Sequence, residues 1–275
     1  MPLGPIRDSL PRMRIARLAP AGEDRPPFYA RLEGAAALVY DRAPWLGGVA
    51  TGETAAFREE DLVCPVEPTK IVCVGRNYAA HARELGNDVP AEPILFLKPP
   101  SALLGPRGTI VLPPDSQRVE HEAELGVVIG RRCKGVRSEE ALDHVLGYTC
   151  LGDITARDLQ RKDVQFTRGK GFDTFCPVGP WIETEVDPAR LRVRAEVNGK
   201  PRQDGPTSSM IWSVPALIAF ISRVMTLMPG DLIATGTPEG VGPLLSGDVL
   251  SISIVGATEA APSIGALVVS VEASP

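Results

Sequence analysis

A strand-rich α+β protein is what this sequence predicts, and three observations predict it. Glycine and proline each occur 27 times, spread evenly over 275 residues; turn-formers at that density suit many short strands and oppose a helical bundle. Between them stand short runs rich in β-branched and aromatic residues. Only residues 213–227 (SVPALIAFISRVMTL) carry a long helical spacing of apolar side chains.

Taken in order, residues 13–18, 28–34 and 35–41 read as short strands, and PVEPTK (65–70) reads as a linker. Residues 1–66 form a small lead-in domain carrying no constellation of reactive groups, and 67–275 form the main domain. KIVCVG (70–75) is a buried strand by its β-branched run. NYAAHARELG (77–86) reads as a helix with Asn77 as N-cap and Gly86 as terminator. PILFLKP (93–99) and ELGVVIG (124–130) are strands. SEEALDHVLGY (138–148) reads as a helix capped by Ser138, and TARDLQRKD (155–163) as another that opens just after Asp153. Residues 192–205 form a hairpin turning at Asn198-Gly199. In the helix over 213–227, Pro215 stands near the start. Residues 231–243 run from a strand into a glycine-rich loop, and 248–256 form another strand.

Composition narrows the function. The formal charge is −5 with no Lys/Arg run, which excludes nucleic acid and anionic membrane surfaces as partners. No apolar stretch approaches a membrane span. The first residues, MPLGPIRD, lack the apolar core of a signal peptide. Cys64, Cys73, Cys133, Cys150 and Cys176 are scattered without a Cys-x-x-Cys pair, as expected of reduced thiols in a cytoplasmic protein. With three histidines in the chain, zinc has few nitrogen ligands.

One short stretch, HEAELG (121–126), poses a physical problem. In a strand Glu122 and Glu124 share a face, and like charges that close repel, the more so when buried. A cation would hold them, and Asp153 offers a third carboxylate. Oxygen ligands alone suit Mg²⁺ or Mn²⁺, and Ca²⁺ less well. The plainer alternative is a wet edge strand and a helix-capping Asp153. His121 points to the opposite face and reads as structural. His81 and Glu84, three apart on a helix, share a face; a carboxylate beside an imidazole orients a general base, or the two make an ordinary surface pair. Arg157 and Gln160 share a face beyond Asp153, and Arg presents a planar fork suited to a carboxylate. TGTPEGVG and RGKG both lack the Lys-Ser/Thr ending of a phosphate loop, so nucleotide binding is set aside.

From about residue 70 to 256 the chain resembles the fumarylacetoacetate hydrolase family. The likeness rests on GRNYAAHARE (75–84), FLKP (96–99), HEAELGVVIG (121–130), GDITARDLQ (152–160), KGFDTFCPVGP (170–180), NGKPRQDGPTSSMIWS (198–213) and TGTPEGVGP (235–243), in that order. The resemblance implies a mixed β-sandwich roll and a homodimer. It implies that Glu122, Glu124 and Asp153 bind one divalent cation, and that His81 and Glu84 belong to a closing segment that activates water. Lys170 would stand beside an enolate or carboxylate oxygen, and Arg157, Gln160 and Thr237 would contact the acid end of a small 2-oxo acid. The expected reaction is hydrolysis of a carbon–carbon bond in an acylpyruvate- or fumarylpyruvate-type acid, through an enolate that the cation stabilises. The alternatives on the same site are oxaloacetate decarboxylation and isomerisation or decarboxylation of 2-hydroxyhepta-2,4-diene-1,7-dioate. A metal-stabilised binder of small dicarboxylates without turnover would need a missing catalytic group, and none is missing.

Overall fold

Alternation along the strands sets the architecture. In Leu191–Val197 the apolar residues point inward and Arg194 and Glu196 outward, the pattern of a strand with one wet face. Ala123–Ile129 and Val145–Gly152 are buried at every position, so they lie between two layers. The computed structural model describes residues 13–22, 25–258 and 263–274. The N-terminal stretch read as lacking a signal-peptide core lies outside them.

Among the described residues the largest sheet has 12 strands. Its main path runs from Ala50–Ala56 through Ala36–Tyr40, Phe28–Glu33 and Arg14–Leu18, then Cys176–Glu183 and Val145–Gly152. It continues through Ala123–Ile129, Leu232–Ala234 and Ile71–Gly75 to Ile94–Lys98. The lead-in strands therefore extend the main sheet, with Arg14 paired to Glu183 and Ile15 to Ile182. A five-stranded sheet contains Leu191–Val197, Lys200–Pro206, Val249–Gly256, Gly265–Ala273 and Thr109–Leu112. Its inward residues Val193, Ala195, Ile252 and Ile254 share one core with Leu125, Val127, Ile129 and Tyr148 of the large sheet. The other face of Ala123–Ile129 contributes Val128 to a second cluster with Leu151, Val178, Ile71 and Leu232. This is the strand-rich sandwich roll expected, and no helix among the described residues is long and apolar enough to cross a membrane.

Four helices matter here: α1 (Ala79–Glu84), α2 (Arg157–Asp163), α3 (Thr167–Lys170) and α4 (Val214–Val224). The hairpin turns at Asn198-Gly199 with φ of 53° and 71°, the pair of positive values a two-residue turn of type I′ requires. Two expectations are corrected. Asn77 does not cap α1; the flanking residue is Tyr78, and the Asn77 amide is buried instead, donating to the carbonyls of Trp212 (3.0 Å) and Thr235 (2.7 Å). The helix expected over 138–148 is a 3₁₀ segment, Ser138–His144, without a Ser138 cap, followed by the strand Val145–Gly152. The strand prevails because its residues fill both cores. Gly147 fits there because a Cβ on it would stand 2.5 Å from the Glu183 carbonyl.

Candidate metal centre

The site forms where two sheets part. Val119–His121 pairs with Thr155–Ala156 in a small sheet, and Ala123–Ile129 joins the large one; Glu122 stands between them. Ala123 pairs with Gly152, and the Asp153 amide donates to the Glu122 carbonyl at 2.8 Å. That register carries Asp153 beside the two glutamates. Ligand oxygens of Glu122, Glu124 and Asp153 lie within 4.8 Å of one another, all three residues buried.

The three acids are compensated unequally. The Lys170 ammonium donates to Glu122 Oε2 (2.8 Å) and Asp153 Oδ2 (2.6 Å). Arg157 donates to Glu122 Oε1 (2.5 Å), Glu120 Oε2 (2.7 Å) and Gln160 Oε1 (2.7 Å). Burial alone would raise the Glu122 carboxyl, but Lys170 and then Arg157 outweigh it and hold it well below the usual range. Among the described residues no cation bonds to Glu124. It accepts one bond, from the Gly236 amide at 2.7 Å, and burial, then the charges on Asp153 and Glu122, push it well above the usual range. Gly236 reaches so close because it has φ 97° and no Cβ, which would stand 2.7 Å from Asn77 Cβ.

A hard divalent cation fits this donor set. All the candidate ligand atoms are carboxylate oxygens, and no cation among the described residues is bonded to Glu124. Asp153 Oδ1 accepts no hydrogen bond and is held by charge alone. The Lys98 ammonium lies 2.8 Å from that oxygen, yet it donates to the carbonyls of Ile154, Lys170 and Phe175 at 3.0, 2.5 and 2.9 Å.

The remaining predicted residues gather around one cavity of about 210 Å³, lined by His81, Glu122, Glu124, Asp153, Arg157, Gln160, Lys170 and Thr237. Glu84 stands behind His81, its Oε2 3.3 Å from Nδ1, while its Oε1 accepts the Gly240 amide at 3.0 Å. That carboxylate thus ties α1 to the glycine-rich loop. The Thr237 hydroxyl donates to the Ala123 carbonyl (2.8 Å) and accepts from Gln203 Nε2 (2.7 Å), so its proton is already engaged. His121 lies off the cavity with Nδ1 3.1 Å from Gln203 Oε1, and burial lowers its pKa.

Among the buried polar residues around the site, Lys98, Glu120 and Gln203 are ones to which the sequence gives no part. Glu120 had a signal, since Glu120, Glu122 and Glu124 follow the same period of two. Lys98 had a weaker one, a lysine closing an apolar strand. Its side chain is fully buried against Asp153. Lys98→Met would leave three carbonyls and a carboxylate short of their partner. We expect a loss of about 3–5 kcal/mol in unfolding free energy, read by urea denaturation. A loss below about 1 kcal/mol, the worth of an exposed pair, would remove Lys98 from the frame of the site.

Known proteins resemble the chain over most of its length. Residues 70–272 match the family model described as fumarylacetoacetate (FAA) hydrolase C-terminal, and residues 13–65 match one described as Rv2993c-like, N-terminal. Protein Rv2993c of Mycobacterium tuberculosis is 50% identical over 209 residues, 75% of this chain and 79% of that protein. The mitochondrial oxaloacetate tautomerase FAHD1 of Arabidopsis thaliana is 47% identical over 197 residues, 70% of this chain and 88% of that protein. A crystal structure of 2-hydroxyhepta-2,4-diene-1,7-dioate isomerase from Mycobacterium marinum superposes with TM-score 0.84 at 44% identity, covering 95% of this chain and 99% of that one.

Proposed function

The chain belongs to the fumarylacetoacetate hydrolase family, and from that premise we propose that it is a divalent-metal-dependent enzyme that forms and redirects the enolate of a 2-oxo acid. The observation that carries this reading is the buried three-carboxylate cluster, which shares one cavity with the Lys170 ammonium and the His81 imidazole.

Bound Mg²⁺ or Mn²⁺ would supply Lewis acidity, steadying negative charge on the keto oxygen. Lys170 adds a second positive group. Burial opposes its charge, but Asp153 and Glu122 outweigh burial and raise its pKa, so it stays an ammonium. His81 is held through Nδ1 by Glu84, which leaves Nε2 to take a proton from the carbon beside the keto group and return it elsewhere. Arg157 and Gln160 line the cavity bonded to each other, and Arg157 would meet the acid end only with the donors that Glu120, Glu122 and Gln160 leave unused.

Moving a proton this way interconverts keto and enol forms or shifts a double bond. The names of the Arabidopsis and M. marinum relatives, a tautomerase and an isomerase, favour this branch. The second reading, cleavage of an acylpyruvate-type carbon–carbon bond, is favoured by the His81–Glu84 pair, which is oriented as a base for water. There His81 takes the proton of a water that attacks a second carbonyl, and pyruvate leaves as its enolate.

Product analysis on metal-stripped protein, with Mg²⁺ or Mn²⁺ added back, tests the proposal. The substrates are oxaloacetate, acetylpyruvate and the dienedioate. Metal-dependent change of tautomer or isomer supports the first branch, acetate release supports the second, and CO₂ release identifies decarboxylation. No metal-dependent conversion of any of them overturns the proposal.

A further inference from the structure

We propose that the cavity carries a second anion subsite, formed by Arg76 and Arg161, which receives the distal carboxylate of a dicarboxylic 2-oxo acid. The inference rests on the reading of the site given above and names the class of acid it takes.

Both arginines line the cavity. They come from different places in the fold: Arg76 follows the strand Ile71–Gly75 ahead of α1, and Arg161 follows Gln160 on α2. The other cationic side chains around the cluster are engaged. Arg157 is held by Glu120, Glu122 and Gln160, and Lys170 by Glu122 and Asp153. Among the described residues the side chains of Arg76 and Arg161 make no hydrogen bond or ion pair. With no protein partner of their own, both guanidinium groups are left to pair with an anion that enters the cavity.

The backbone adds an independent observation. Arg76 has φ 57°, a left-handed conformation that costs a residue with a Cβ roughly 1–3 kcal/mol and collects at ligand sites. Glycine would relieve that strain but bring no charge. A planar guanidinium offers paired donors that match a carboxylate. The cavity, about 210 Å³, is smaller than the roughly 300–1,000 Å³ usual for larger ligands, so the two carboxylates belong to a short acid. One end lies by Arg157 and the cluster, the other by Arg76 and Arg161.

The test is calorimetric titration of the Mg²⁺-loaded protein with 2-oxoglutarate and with 2-oxopentanoate, acids of equal chain length that differ in the distal carboxylate. The wild type should bind the diacid at least about tenfold more tightly, with the advantage shrinking as salt rises. Arg76→Met and Arg161→Met should each lower diacid affinity and leave the monoacid unchanged, and the double variant should bring the ratio near one. Arg161 is exposed on α2, so its variant serves even if Arg76→Met fails to fold. Equal binding of both acids by the wild type, or an undiminished preference in the double variant, overturns the subsite alone. Binding of neither acid overturns the reading of the whole site as well.

Discussion

A Glu124→Gln protein is expected to lose Mg²⁺ and Mn²⁺ affinity by at least about 100-fold, and yet to melt no lower than the metal-free wild type. The two halves of this result have one cause. Glu124 is the acid of the cluster to which no cation among the described residues is bonded, and burial together with Asp153 and Glu122 raises its pKa. In the folded metal-free protein it therefore holds its proton to higher pH than in the unfolded chain. Folding then takes up a proton, so this group's contribution is intact below the unfolded carboxyl pKa and is lost as pH rises through the folded one. Glutamine keeps the acceptor for the Gly236 amide and replaces the proton with a permanent NH₂. At neutral pH the variant should gain stability, on the order of 2–4 °C in Tm for each kcal/mol, and near pH 4 the gain should vanish. The same linkage makes wild-type metal binding release a proton and strengthen with rising pH, by up to about tenfold per unit. Melting curves at both pH values, with and without Mn²⁺, check all of this. A variant that still binds metal, or melts well below the stripped wild type at neutral pH, would show that Glu124 is not the strained ligand.

Much of this arrangement is legible in the sequence because it depends on local period. Alternation places Glu122 and Glu124 on one face, and spacing along α2 places Arg157 against Gln160. Asn198-Gly199 announces its turn. What is not legible depends on contacts between distant segments. Cys176–Glu183 reads poorly as a strand because Pro177 and Pro180 interrupt it, and proline is rare in central strands. It is nonetheless central, lying between Arg14–Leu18 and Val145–Gly152. Val145–Gly152 loses its first residues to a helical reading because a short apolar run does not declare its period. Lys98 is a lysine like any other until three carbonyls from two later segments surround it. The Thr237 hydroxyl reads as a free donor until Ala123 and Gln203 occupy it.

His81→Ala is expected to lower turnover by about 10²–10⁴-fold while metal affinity stays intact. Among the described residues His81 makes one side-chain hydrogen bond, to Glu84, and stands outside the carboxylate cluster, so its loss should remove a proton carrier and leave the cluster unchanged. Glu84 keeps its bond to the Gly240 amide, so α1 stays docked and the melting temperature should hardly move. Glu84→Gln should cost less than His81→Ala, because it leaves the imidazole present but poorly oriented. The products distinguish the two branches. If His81 serves only to activate water, the alanine variant stops releasing acetate from acetylpyruvate and still equilibrates the tautomers of oxaloacetate. If it carries the proton of the enolate itself, both conversions fall together. A loss of metal affinity in His81→Ala would contradict this division of labour, because a group outside the cage would then be shown to hold the ion.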